Sequence, residues 1–168
     1  AHGTKVAMIC QEPGFDGEFR VDNVRVIALG ASRGILPACR VRALWRAMRI
    51  ANTDVYYQRG AGCETGEVAL WCRRHQRRFL FAAASDSNHD PTLPDLPGIY
   101  ERTLYRIGLN LADQIICQSQ TQQAGFRRWL NKPTRVVRSC AIAPGGAANA
   151  DRAGNGCVLW IGRIAPKK

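Results

Sequence analysis

The densest group of chemically able side chains is Ser85-Asp86-Ser87-Asn88-His89-Asp90, where two carboxylates, an imidazole and several hydroxyl or amide groups fall within six residues. Such a group could hold the hydroxyls of a sugar-like ligand, orient an acceptor, or let Asp86 and His89 move a proton. Ser, Asp and Asn also suit turns and helix caps, so a purely architectural cluster explains the same composition equally well. Two further segments could assist. Arg59-Gly60-Ala61-Gly62 could bring backbone N–H groups and a cation to an anionic ligand at a helix start. A loop that needs positive φ accounts for its glycines as readily. Ser119, followed by Gln120 and Thr121, has the place of a helix N-cap.

The elements that would position these residues alternate regularly. Short apolar, strand-like runs occur at 5–10, 24–29, 54–58, 79–84, 114–118, 135–140 and 157–161. Continuous apolar runs of this length suit strands covered on both faces. Between them lie amphipathic stretches at about 36–51, 64–77, 98–112 and 121–130. The first puts Val41, Leu44, Trp45 and Met48 on one face and Arg42, Arg46 and Arg49 on another. The second lines up Val68, Trp71, Cys72 and His75, which makes His75 a core histidine. The third uses Tyr100, Thr103, Leu104, Ile107 and Leu111, and the fourth buries Ala124 with Phe126, Trp129 or Leu130. Strand and helix in alternation imply right-handed crossovers. The expected fold is α/β: a Rossmann-like open, mainly parallel sheet with helices on both faces. Each of the three polar segments then falls at the carboxyl end of a strand, where such sheets bind ligands.

The 168 residues suffice for one ordinary domain. With 46% hydrophobic and 22% charged residues the composition is globular. No apolar run reaches the roughly 18–20 residues needed to span a bilayer. The seven cysteines include no C-x-x-C pair and read as scattered core thiols of a reducing compartment, ahead of any metal site. The 24 basic against 13 acidic residues give a net charge of +11, which favours an anionic partner. Arg73, Arg74, Arg77 and Arg78 cluster at a helix end, where cations offset the helix dipole. Together with the arginine face of 36–51 they form either a solvated basic surface or a patch for an acidic membrane. Nucleic acid is the alternative partner for such a charge, but no nucleic-acid-binding motif accompanies it and none is expected.

The order of pieces resembles family 4 glycosyltransferases of the GT-B fold. Val158-Leu159-Trp160-Ile161-Gly162-Arg163-Ile164-Ala165-Pro166-Lys167-Lys168 is similar to the strand and loop that open that family's nucleotide-sugar domain. Ala112-Asp113-Gln114-Ile115-Ile116-Cys117-Gln118-Ser119 resembles its "AD-x-hh-x-x-S" strand. Gly3-Thr4-Lys5-Val6 resembles the entry to its second strand, and 136–144 the strand before its linker. The resemblance implies a Rossmann-like acceptor-side domain at 1–143 lacking its first βα unit, a linker at 144–156, and the start of a truncated donor domain at 157–168. It implies that Arg163 and Lys168 hold the donor diphosphate. From their place at the strand ends, Arg59, Gly60, Ser85, Asn88 and Ser119 are the candidates to face the acceptor, and Asp86 and His89 the catalytic candidates, although many members of the family have a His where this chain has Ser85-Asp86. The activity implied is retaining sugar transfer from a nucleotide sugar to a glycan or lipid-linked acceptor, cytoplasmic and without a metal.

Overall fold

The computed structural model describes residues 5–12, 15–22, 24–30 and 37–138. Along the chain these form β1 (Ala7–Glu12), β2 (Gly17–Val21), β3 (Val24–Gly30), α1 (Pro37–Ala51), β4 (Val55–Arg59), α2 (Cys63–Arg74), β5 (Arg78–Ala82), a 3-10 turn (Asp86–His89), α3 (Ile99–Leu111), β6 (Gln114–Cys117), α4 (Gln120–Trp129) and β7 (Thr134–Val136). The Rossmann-like α/β class is as expected: β4, β5, β6 and β7 make a parallel sheet in that order, and helices link successive strands. The linker at 144–156, the strand at 157–161 and the two cations Arg163 and Lys168 lie outside the described residues.

Local chemistry sets the helix ends. α1 opens on Pro37, whose fixed φ and missing N–H suit a first helical position. α2 carries Glu64 in its first turn and Arg73 and Arg74 in its last, each sign matched to the helix dipole. Ser119 caps α4, its hydroxyl accepting from the Gln122 N–H at 3.2 Å.

Strand register decides which side chains meet the helices. Tyr56 pairs with Phe79, Phe81 with Ile115, and Cys117 with Val136, so these point to one face of the sheet. All four helices pack there. The Tyr56 hydroxyl donates to the Met48 carbonyl of α1 at 2.7 Å, and its ring meets Trp71 of α2 edge-on. Phe81 meets Tyr105 of α3 and Phe126 of α4 in the same way. Among the described residues no helix covers the other face, where Val55 and Tyr57 remain 45% and 59% exposed. Among the described residues the expected helices therefore cover one face of this sheet.

One departure concerns continuity. β1, β3 and β2 form a separate three-stranded sheet, β1 parallel and β2 antiparallel to β3. Strand β2 went unread in the sequence. It pairs antiparallel with β3, Val21 opposite Val24, and Asp22 just after it takes a left-handed φ of 46°.

Helices α2 and α3 cross with their backbones in contact. A Cβ added to Gly66 would stand 2.3 Å from the Leu104 carbonyl oxygen, and one on Gly108 would stand 2.5 Å from the Thr65 backbone. Only glycine allows that approach. The crossing turns Tyr105, Gly108 and Leu109 inward and leaves Tyr100, Thr103 and Ile107 exposed, which corrects the face expected for this helix. His75 is likewise exposed rather than buried, capping α2 with its ring 4.3 Å from that of Trp71. Ala124 and Cys39 are also exposed. Cys72 and Cys117 are core residues, and burial pushes the Cys72 thiol up to about 12.

Candidate functional site

The loops leaving the carboxyl ends of β4, β5 and β6 lie side by side. Strand β4 exits through Gly60, whose φ of 89° places it where a side chain would be strained. Its N–H donates to the Ala82 carbonyl at 2.9 Å, and its own carbonyl accepts from Gln58 Nε2 at 2.7 Å. Arg59, beside it, is exposed.

Strand β5 exits into the polar cluster. Ser85 and Asn88 close a capping box, and the Asn88 amide oxygen accepts from the N–H groups of Ala84 (2.8 Å) and Ser85 (3.3 Å). Asn88 is only 3% exposed, and the Tyr105 hydroxyl donates to its carbonyl at 2.8 Å. Its side chain therefore holds the loop together and is not open to an acceptor. The architectural reading applies to His89 as well. Its ring lies against Gly125 so closely that a Cβ there would stand 2.0 Å from Cδ2, and its Nδ1 is buried without a hydrogen-bond partner among the described residues. The His89 carbonyl accepts from Trp129 Nε1 at 2.9 Å. The ring is thus packed into a helix contact on its Nδ1 side, while the residue as a whole is half-buried. Ser85 and Asp86 stay exposed.

One buried side chain ties two loops together. Gln122, 4% exposed, donates from Nε2 to Asp86 at 3.0 Å and accepts the Gln118 N–H at 2.8 Å. The bridge fixes the β5 exit against the β6 exit. Ser119 sits within it, its hydroxyl engaged as the α4 cap.

A second polar group, unread in the sequence, gathers where α1 meets α2. Arg40 donates to Glu64, to Glu67 at 2.7 Å and to Cys63 Sγ at 2.9 Å. Glu67 is 3% exposed, and its Oε2 has no hydrogen-bond partner among the described residues. Burial pushes the Glu67 carboxyl above the usual range while Arg40 pulls it back. Burial likewise raises the Cys63 thiol, and the Arg40 bond opposes this. For Arg40, burial disfavours the charge, but Cys63 and the two glutamates outweigh it and hold the proton more tightly.

This group stands at one end of a cleft of about 1120 Å³ between the two sheets. Arg59 and Gly60 line the same cleft, with Leu44, Met48 and Val68 on its apolar floor. The structure thus brings Arg59 and Gly60 together with Arg40, Glu64 and Glu67, and brings Asp86 together with Gln122 and Ser119. Among the described residues no group of three His, Cys, Asp or Glu is arranged to hold a metal ion, and no helix is long and apolar enough to cross a membrane.

Geometry and topology define a Rossmann-like α/β domain with a polar rim at the strand ends. Comparison with protein-family models, with curated proteins and with solved structures finds no match.

Proposed function

We propose that this chain is the acceptor-side domain of a retaining, nucleotide-sugar-dependent glycosyltransferase acting on a glycan or lipid-linked acceptor. The observation that carries the reading is the rim at the carboxyl ends of β4, β5 and β6. There exposed Arg59, Ser85 and Asp86 stand over backbone fixed by Asn88 and Gln122. Fixed polar groups around a shallow rim suit a hydroxyl-rich ligand, because each hydrogen bond is made without ordering the protein first. Asp86, oriented by Gln122, is the acceptor contact in this reading, and His89 and Asn88 are its support. Arg163 and Lys168 serve the donor diphosphate, where two cations offset the charge that develops on the leaving group. The motif order described in the sequence supports the same assignment.

The setting proposed is cytoplasmic, with the basic surface resting on acidic membrane. Arg42, Arg46 and Arg49 of α1 and Arg73 and Arg74 of α2 are exposed. Arg77, by contrast, is tied to Asp54 and Asn52. The test uses the natural polypeptide that contains this chain, incubated with a panel of UDP-, GDP- and ADP-sugars and lipid extract. Release of nucleoside diphosphate that falls at least about 100-fold in the Arg163→Ala, Lys168→Ala double variant is the expected result. No release above background across the panel refutes the reading.

A further inference from the structure

The cleft between the sheets has the walls of a strand position. Residues 5–11 line one side without a break, and residues 53–61 line the other. Successive side chains of a strand point to opposite faces. A space that touches every successive residue therefore faces the hydrogen-bonding edge of the strand, not one of its faces. Both walls are such edges: among the described strands β1 pairs only with β3, and β4 only with β5.

The walls run in the same direction. Arg40, in the first turn of α1, reaches Cys63, Glu64 and Glu67 in the first turns of α2. The start of α1, which follows β3, thus lies beside the carboxyl end of β4. With β1 parallel to β3, the strands β1, β3 and β4 all point one way.

We propose that this cleft takes one further β-strand of the same polypeptide, parallel to β1 and β4 and apolar on both faces. That strand joins the two sheets into one, in the order β2-β3-β1, new strand, β4-β5-β6-β7. The inference rests on the cleft and not on the transferase reading. Membership of the same chain follows from two features. A strand paired on both edges of a parallel sheet is interior, and such strands are reached by crossovers within one domain. Handedness then names the cover for the bare face. From β3 through β7 every crossover steps the same way across the sheet, and α1 to α4 lie on one face. A strand beside β1 that precedes it in the chain steps the opposite way, so a right-handed crossover puts its helix on the opposite face. Val55 and Tyr57 are exposed there, and Met8, alternating with the inward Ile9, is 55% exposed. The polar group around Arg40 then sits at the mouth of a completed sheet, at the carboxyl ends of its strands.

Hydrogen exchange followed by mass spectrometry tests this on residues 1–168 and on the natural open reading frame that contains them. In the longer polypeptide the amides of β1 and β4 are expected to exchange at least about 100-fold more slowly, with the outer strand β2 little changed. A Met8→Lys, Tyr57→Lys double variant is expected to lower the melting temperature of the longer polypeptide and to leave that of residues 1–168 unaltered. Equal exchange in the two proteins overturns the proposal, as does an open reading frame that adds no strand. A dimer of residues 1–168 with both strands already protected also overturns it, because a second copy is then the occupant.

Discussion

Replacing Gly108 by Ala tests whether the α2–α3 crossing sets the geometry of this domain. The new methyl group would stand 2.5 Å from the Thr65 carbonyl, and the reciprocal Gly66→Ala methyl 2.3 Å from the Leu104 oxygen. Ordinary contact begins near 3.4 Å, so relieving 2.3 Å means parting the two backbones by about 1 Å. Backbone atoms cannot rotate aside as a side chain can. A gap of that size forfeits roughly a quarter to a half of each van der Waals well along the contact. Overpacking of this kind costs typically 1–3 kcal/mol, and the upper end applies where the obstacle is main chain. Against it stands the better helix propensity of alanine, about 1 kcal/mol. The net expectation is a loss of about 2 kcal/mol for either variant, or roughly 4–8 °C in Tm for a domain of this size. Because both methyl groups force apart the same crossing, the double variant should lose clearly less than the sum of the two. Urea denaturation measures all three. Either single variant proving as stable as the parent, or more stable, would falsify the close crossing and leave propensity alone in control.

Two further outcomes follow from the polar groups. Gln122→Leu leaves the Gln118 N–H without its acceptor and releases Asp86, and should cost about 1–3 kcal/mol in urea denaturation. Faster amide exchange at 85–89 should accompany it, and unchanged exchange there would show that the bridge does not hold the loop. Glu67 gives a pH signature. Its carboxyl is raised above the ordinary value by burial, so the folded state binds the proton more tightly than the unfolded one. That contribution is fully present at low pH and is lost as pH rises through the folded-state value. Glu67→Gln lacks the titration, and should therefore gain stability relative to the parent as pH rises above the ordinary carboxylate value of about 4. A difference between the two proteins that stays flat over this rise removes Glu67 as the cause.

The helices were legible because their apolar spacing is a local property. α1, α2, α3 and α4 begin within about one residue of the stretches read from periodicity. Register and pairing were not, because they are set by partners far along the chain. The period-2 pair Phe19 and Val21 ahead of Asp22-Asn23 is a hairpin signal, but β2 is short and its side chains are mostly exposed, so it shows little apolar density. The inward face of α3 was misread for a related reason. Its deepest contact is made by Gly108 against Gly66 and Thr65, and glycine adds nothing to a hydrophobic pattern.

The polar sites divide along the same line. Ser85 to Asp90 was visible as a cluster because its members are adjacent in sequence, yet composition left its role open between ligand contact and capping. Asn88 resolves to capping because its amide oxygen serves two main-chain N–H groups, and His89 to packing because Gly125 lets α4 close on its ring. Asp86 differs from both. It is exposed, and its orientation is set by Gln122, a buried residue 36 positions away. The Arg40 group was invisible for the complementary reason, since Arg40 lies 24 and 27 residues from Glu64 and Glu67 and only the packing of α1 on α2 unites them. A carboxylate as buried as Glu67 is destabilising unless its charge is met. Arg40 meets it through one oxygen and leaves Oε2 without a partner among the described residues. Helix packing is therefore what keeps an ionisable group, at a cost in stability, at the one end of the cleft where α/β sheets place their chemistry.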